Sequence, residues 1–262
     1  MLGGVLSQVC VKKPTIILSC LGVLCATVWL MSSTAPPEPR YQGRKLTEWL
    51  GDMEFSDAGG YLSASATKAI RAMGTNALPY LLWMVESEKD SPSKNRANRL
   101  LEKQSVIKFR FTSYSYSCGP GASGFAPLGE TAAPAVPRLM KLLENPRTSL
   151  QARFALMCIG SPAFPSLAEA LTNKSAHVRA VAAEALSCMP WDLDYSRIVV
   201  SRLMKNLDDA EEQVRYWALV AIPFGAAQAI PKIKELQSDP SFKVRRQATS
   251  RLQDLGVVQR PQ

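Results

Sequence analysis

The chain has 262 residues with a formal net charge of +9, and 47% of its residues are hydrophobic. This length allows one large domain or two small ones, and the hydrophobic content excludes a mainly disordered protein. The positive charge indicates a solvated surface, with an acidic partner or anionic lipid as the alternative.

The N-terminal segment is predicted to anchor the chain in a membrane. Residues 1–14 form a short basic head, and the 17 residues 15–31 carry no charge. A helix that crosses a bilayer needs about 17–25 residues, so this run is at the lower limit. A signal peptide is the alternative, but Pro36 would follow the small-residue site Ser33–Ala35 and would oppose cleavage. We predict an uncleaved transmembrane or signal-anchor helix, with the remaining chain on the extracytoplasmic (periplasmic) side.

A linker and a short helix follow the anchor. Residues 32–45 are predicted as a linker, which the prolines between Ala35 and Arg40 would stiffen. After it, Leu46, Trp49, Leu50 and Met53 are spaced as in one amphipathic helix. No matching helix precedes this one, so we predict that it caps the end of a repeat array.

From here to residue 258, amphipathic segments recur. In residues 176–189 the apolar side chains fall on one helical face: Val178, Val181, Ala182, Ala185, Leu186 and Met189. First helices are predicted to end at Gly74, Gly129, Gly160, Met189, Gly225 and Gly256, at intervals of 55, 31, 29, 36 and 31 residues. A proline opens most second helices: Pro79, Pro137, Pro165 and Pro231. The pattern predicts an all-α repeat domain of about five to six stacked helix pairs over residues 46–258, with residues 259–262 as a tail.

Arginine recurs in the first turn of the later first helices, where a cation opposes the helix dipole. Asn173, Asp209 and Asp239 each lie six residues before such an arginine. We predict that these loop residues cap the helix and pair with an arginine of a neighbouring unit, whereas Arg153 lacks a matching acid. The predicted structural ladder between repeats consists of Arg153, Arg179, Asp209, Arg215, Asp239 and Arg245.

The segments Val178-Arg179-x-x-Ala182, Val214-Arg215-x-x-Ala218 and Val244-Arg245-x-x-Ala248 resemble HEAT repeats of the armadillo type, as does the linker Gly129–Pro134. The resemblance covers about residues 60–258 and is closest to the HEAT_2-like repeats of bacterial proteins. Tyr41–Leu50 resembles a segment that often precedes such repeats in membrane-anchored bacterial proteins. The resemblance implies a right-handed α-α superhelix, or solenoid, that binds partners along its concave second helices. The interval of 55 residues and Met189 depart from the family pattern.

The over-long interval contains the predicted partner-binding region. Residues 94–110 hold six basic side chains and one acidic side chain, residues 109–117 alternate aromatic and small, and residues 118–124 are rich in glycine. We predict an insertion near 103–124, because this stretch lies inside the over-long interval. Loops on rigid scaffolds often carry specific contacts, so we expect this region to bind the partner. The alternatives are a solvated face for the basic stretch and an excursion without function for the loop. The predicted partner-binding residues are Arg96, Arg99, Lys103, Lys108, Arg110, Tyr114 and Tyr116.

No set of residues predicts a catalytic or metal site. His177 is the single histidine, and the six cysteines form no CxxC pair, which favours small core side chains at Cys158 and Cys188. We predict a non-catalytic, membrane-anchored scaffold that binds a protein and needs no cofactor. One alternative is a nucleic-acid-binding solenoid, similar to HEAT-like DNA glycosylases, whose basic residues would be Arg202, Lys205, Lys232 and Lys234. It is disfavoured if the repeats lie outside the cytoplasm. A lyase similar to the bilin lyases, with Cys118 or an acid as the reactive group, has no positive support.

Overall fold

The structure is a computed structural model that describes residues 35–56, 59–87, 119–189, 193–223 and 225–257. The chain divides into residues 1–37 and a larger unit, residues 38–262. The predicted membrane segment, residues 15–31, lies outside the described residues. Within the described ranges, no helix combines the length and the hydropathy needed to cross a bilayer.

The larger unit is mostly helical, which confirms the predicted all-α class at this level. In the described ranges, four short strands accompany the helices: β1 (Arg40–Tyr41), β2 (Arg44–Lys45), β3 (Met53–Ser56) and β4 (Gly59–Leu62). The α-helices in chain order are α1 (Leu46–Leu50), α2 (Ala64–Met73), α3 (Leu78–Ser87), α4 (Pro120–Ser123), α5 (Phe125–Leu128), α6 (Val136–Leu142), α7 (Ser149–Ile159), α8 (Phe164–Ala170), α9 (Ala176–Ser187), α10 (Leu193–Asn206), α11 (Glu212–Ala221), α12 (Ile230–Glu235) and α13 (Phe242–Asp254).

The helices pack in two layers. In the first layer, α2, α5, α7, α9, α11 and α13 contact one another in sequence order, and in the second layer α3, α6, α8 and α10 do the same. Each of α6, α8, α10 and α12 also packs on the first-layer helix that follows it. Small side chains at the helix contacts, such as Ala152, Ala182, Ala218 and Ala248, are fully buried. They let neighbouring first-layer helices approach closely, so the apolar core runs without interruption between the layers.

Of the six predicted ends of first helices, four have a glycine in the left-handed region. Gly74, Gly129, Gly160 and Gly256 have φ values of 56°, 51°, 79° and 70°, the left-handed region that glycine enters at little cost. The first three lead into 3₁₀ turns at Gly74–Ala77, Gly129–Ala135 and Ser161–Ala163. A second helix then begins, with its proline at the second residue. The glycine therefore reverses the chain, and the proline starts the next helix.

At the two other predicted stops the first helix ends earlier. α11 ends at Ala221, and Ile222 is extended, with φ −60° and ψ 124°. Proline disfavours the helical conformation in the residue before it and has no N–H for the helix, so Pro223 favours an end ahead of Gly225. α9 ends at Ser187, and Cys188 closes it in the right-handed region, so the turn before Met189 needs no glycine.

The two hairpins were not predicted. β1 pairs with β2 through a turn at Gln42 and Gly43, whose φ values are 50° and 80°. Two positive φ angles in a two-residue turn match the right-handed twist of paired strands. Residues 40–45 are therefore a hairpin rather than part of a stiff linker. Met53, predicted in the first amphipathic helix, begins β3, which pairs with β4.

The glycine-rich end of the predicted insertion is helical. Residues 118–124 were predicted to be part of an exposed excursion, but Pro120–Ser123 forms α4, which packs against α3. A Cβ added to Gly121 would lie 2.7 Å from Met84 Cβ and 3.2 Å from Val85 N. Gly121 therefore allows two helices to pack closely. The glycine content suggested a loop because close packing and loops both favour glycine.

Gly121→Ala is expected to lower the free energy of unfolding by about 1–3 kcal/mol, because a methyl group must push apart two packed backbones. Gly225→Ala is the matched control, since Gly225 has no atom within 4 Å of an added Cβ and no positive φ. It should be neutral or stabilise by up to about 1 kcal/mol. Urea denaturation followed by far-ultraviolet circular dichroism compares the two variants. Equal effects would contradict a close approach of α4 to α3.

Candidate functional site

Arg179 in α9 holds two loops at once. Its Nε and Nη2 donate to the two carboxylate oxygens of Asp209 at 2.7 and 2.8 Å. Its Nη1 donates to the carbonyls of Asn173 and Lys174, in the loop before its own helix, at 2.8 and 3.0 Å. The planar guanidinium suits this task because its donors point in fixed directions. Arg179 thus joins the loop before α9 to the loop before α11.

Arg215 in α11, the next helix of the first layer, repeats this arrangement. Nε and Nη2 donate to the carboxylate of Asp239 at 2.7 and 2.9 Å, and Nη1 donates to the carbonyls of Asp209 and Ala210 at 2.7 and 2.9 Å. The side chains of Arg215 and Asp239 are only 11% and 3% exposed. A paired charge at this depth is well shielded from competing water.

The loop acids also order the backbone ahead of each helix. Asp209 accepts the N–H of Glu211 at 3.0 Å, and Asp239 accepts the N–H of Ser241 at 2.8 Å. Glu211 and Ser241 are the N-cap residues themselves. The acids therefore order the turn before the helix rather than bonding to its first-turn N–H groups, as a conventional cap would.

Both aspartates have perturbed acidity. Burial alone would raise the pKa of the Asp209 carboxyl, but the hydrogen bonds from Arg179 and the Glu211 N–H outweigh it, so the pKa lies below its ordinary value. The pKa of the Asp239 carboxyl is lowered in the same way, against burial, by Arg215 and the Ser241 N–H. Each aspartate is thus held as the anion at neutral pH.

We expect the folded chain to lose stability in acid partly through these two groups. Their folded pKa values lie below those of the unfolded chain, so the unfolded state takes up more protons as the pH falls. Their contribution is present above the ordinary aspartate value of about 3.9 and is lost as the pH falls through the lower folded values. Urea titrations between about pH 3 and pH 7 give the free energy of unfolding at each pH. This free energy should fall less steeply in acid for the Asp209→Asn/Asp239→Asn double variant than for the unchanged chain. Parallel curves would contradict this assignment.

Arg153 departs from the arrangement. It pairs with Glu184 in α9 and not with a loop residue. The equivalent loop position in the next unit is Asn173, which carries no charge, and the loop before α7 places Asn145 eight residues ahead of Arg153 rather than six. Asn145 still accepts the N–H of Arg147 at 3.0 Å. Burial raises the pKa of the Glu184 carboxyl above its ordinary value, and Arg153 only partly offsets this.

A groove opens between the second-layer helices α6 and α8. This second-helix groove has a volume of about 610 Å³, and residues of the loop after α8 also line it. Met140 is half-buried and packs against the core, so it gives the groove an apolar element. The charged lining residues are two lysines and two glutamates, Lys141, Lys174, Glu144 and Glu169. The groove therefore offers both signs of charge around an apolar element.

Ion pairs join neighbouring second-layer helices on either side of this groove. Glu86 at the end of α3 accepts from Arg138 of α6 at 2.5 Å, and the bond holds the pKa of the Arg138 guanidinium above its usual value. Lys232 of α12 lies 2.5 Å from Asp208 and 2.8 Å from Glu235. Sequence reasoning missed these pairs because their partners lie 52 and 24 residues apart with no repeated spacing. Lys232 was proposed as a nucleic-acid contact, and acids already neutralise it.

A second groove lies on the first layer, between α11 and α13. This terminal groove has a volume of about 540 Å³ and is lined by Tyr216, Phe242, Lys243 and Arg246, together with Gln213, Gln247 and Ser250. The Tyr216 ring meets the ring of Trp217 edge to face, with centroids 5.1 Å apart. Among the residues that the structure describes, the lining contains two cations and no acid.

The other predicted site residues fall in different places. Arg96, Arg99, Lys103, Lys108, Arg110, Tyr114 and Tyr116 lie outside the described residues, as does Cys118. Cys158 is half-buried and packs against the core, so the predicted core position is met only in part. The prediction is wrong for Cys188, which is exposed because it follows the last turn of α9. His177 is half-buried, and its Nε2 has no hydrogen-bond partner among the described residues. Within these residues, no three His, Cys, Asp or Glu side chains are grouped so that they could hold a metal ion.

Comparison with known proteins gives no family assignment: the sequence matches no protein-family model and no curated protein.

Proposed function

We propose that this chain is a non-catalytic scaffold: a HEAT-like solenoid, anchored in the membrane by residues 15–31, that binds another protein through its second helices. The order of helix contacts supports the repeat character, since successive first helices and successive second helices pack side by side. In such arrays one face of each repeat stays available for a partner.

The charge pattern of the second-helix groove favours a protein over nucleic acid as the partner. Its two lysines and two glutamates balance, and Met140 adds apolar surface. A site for nucleic acid needs an excess of cations to replace the counterions of the phosphates. Beyond the groove, Arg138 and Lys232 already pair with acids. Mixed charge around an apolar element is instead the usual make-up of a protein interface.

Site-specific photocrosslinking of the full chain in its native membranes tests this proposal. A crosslinker at Ser166, inside the groove, should give one reproducible protein adduct, and Met140→Asp, which puts a charge on the groove's apolar element, should abolish it. The matched control places the crosslinker at Gln228, which is exposed on a 3₁₀ turn away from the groove. It should give no such adduct.

Two outcomes would overturn the proposal. The first is the same adduct from Ser166 and Gln228, since that indicates labelling without a site. The second is salt-sensitive, sub-micromolar binding of DNA by the full chain together with a reporter fusion that places the repeats in the cytoplasm. That second result would favour the nucleic-acid-binding solenoid.

A further inference from the structure

Arg245 in α13 is held in the same way as the two arginines before it. Its Nη1 donates to the carbonyls of Asp239 and Pro240 at 2.7 and 3.0 Å. Arg179 and Arg215 hold the carbonyls of their own loops with the same atom and at similar distances. The loop carbonyls thus fix the orientation of the guanidinium at all three positions.

The three arginines differ on the other side of the guanidinium. In Arg179 and Arg215, Nε and Nη2 grip an aspartate of the following unit. Within the described part of the chain, the same two atoms of Arg245 have no acceptor. The two donors that bind a carboxylate in Arg179 and Arg215 are therefore oriented but have no acceptor among the described residues at α13, the last helix that the structure describes.

The surroundings of Arg245 add apolar surface and positive charge. Phe242, one turn earlier, is 67% exposed, and the Arg245 guanidinium lies 5.8 Å from the centre of its ring. Phe242 also lines the terminal groove, in which Lys243 and Arg246 are the charged residues. An exposed aromatic ring beside three cations is unusual on a purely solvated surface.

We propose that this end of the stack is a docking surface for an acidic segment of a protein partner. A partner Asp or Glu carboxylate takes both Nε–H and Nη2–H of Arg245, as Asp209 and Asp239 do with their arginines. A neighbouring apolar side chain covers Phe242, and further acids face Lys243 and Arg246. This surface is separate from the second-helix groove, so it does not rest on the proposed function.

The chain itself supplies a probe for this chemistry. Residues 207–214, Leu-Asp-Asp-Ala-Glu-Glu-Gln-Val, carry the aspartate that Arg179 grips. A fluorescein-labelled peptide of these residues is titrated with the full chain in detergent micelles, and binding is read as fluorescence anisotropy. We expect saturable binding that Arg245→Lys weakens about tenfold, because lysine cannot form the bidentate pair.

A double-mutant cycle separates the carboxylate contact from general charge. The peptide with Asp209→Asn should bind the unchanged chain about tenfold more weakly. If the Asp209 carboxylate of the peptide contacts Arg245, the affinity of the Asp209→Asn peptide for Arg245→Lys should be little lower than its affinity for the unchanged chain. Phe242→Ala should also weaken binding without changing the unfolding transition. Arg202→Lys, on the second layer, should leave binding unchanged.

Several results would overturn the proposal. These are no saturable change in anisotropy over the titration with the chain, additive losses in the cycle, or equal losses in Arg202→Lys and Arg245→Lys. Concentration-dependent self-association that Arg245→Lys abolishes would assign the surface to a second copy of the chain. Arg245-dependent binding to vesicles of anionic phospholipid, with none to the peptide, would assign it to a membrane surface.

Discussion

Arg215→Met is expected to lower the free energy of unfolding by about 3–5 kcal/mol, the usual cost of removing one partner of a buried ion pair. Methionine fills a similar volume but leaves the Asp239 carboxylate, 3% exposed, without its bidentate donor. It also releases the carbonyls of Asp209 and Ala210. Both losses fall at the junction between α11 and α13, so we expect these helices to separate first.

Lys232→Met is the matched control for Arg215→Met. Lys232 also contacts two acids, but the side chains of Asp208 and Glu235 are 65% and 67% exposed. Exposed ion pairs contribute less than about 1 kcal/mol. Urea denaturation at neutral pH gives both values, and similar losses in the two variants would show that burial of the Arg215 pair has no energetic consequence. The double variant Arg215→Met/Asp239→Leu should recover part of the loss, since it removes both charges.

Phe164→Ala is expected to destabilise the chain by about 3–5 kcal/mol, through lost transfer free energy and the cavity left behind. Phe164 is the first residue of α8 and is 1% exposed. Phe164 is a buried member of the continuous apolar core, so its removal leaves a cavity within that core. The loss should appear in the global unfolding transition.

Phe242→Ala offers the same change of side chain at a position that is 67% exposed. It should change the free energy of unfolding by no more than about 0.5 kcal/mol. A thermal or urea melt of both variants checks this contrast. A large loss in Phe242→Ala would mean that its ring is covered in the folded chain.

The sequence predicted the features that repeat at a fixed spacing. Residues Asp209 and Asp239 lie six positions before Arg215 and Arg245, and this regularity placed the loop and the arginine in one motif. The prolines that open second helices were equally visible, since proline fits only the first turn. Such local rules hold where the same turn recurs, as it does after Gly74, Gly129 and Gly160.

Features that depend on one contact could not be predicted. Nothing in the spacing indicates Glu184 as the partner of Arg153, because the match depends on how two helices cross. The hairpins were not predicted because strands of two to four residues are too short to show an alternation of apolar and polar residues. Gly121 looked like a loop residue because its close neighbour, Met84, is distant in sequence.

Arg179 and Arg215 each bind the loop before their own helix on one side and an aspartate of the following loop on the other. A tandem copy of residues 209–238, inserted ahead of Asp239, would place a new aspartate 24 residues after Arg215, which is the present separation of Arg215 and Asp239. Arg179 and both copies of Arg215 in the lengthened chain would each still meet a carboxylate. Gene duplication could therefore extend this protein one module at a time while keeping the bonds between modules intact.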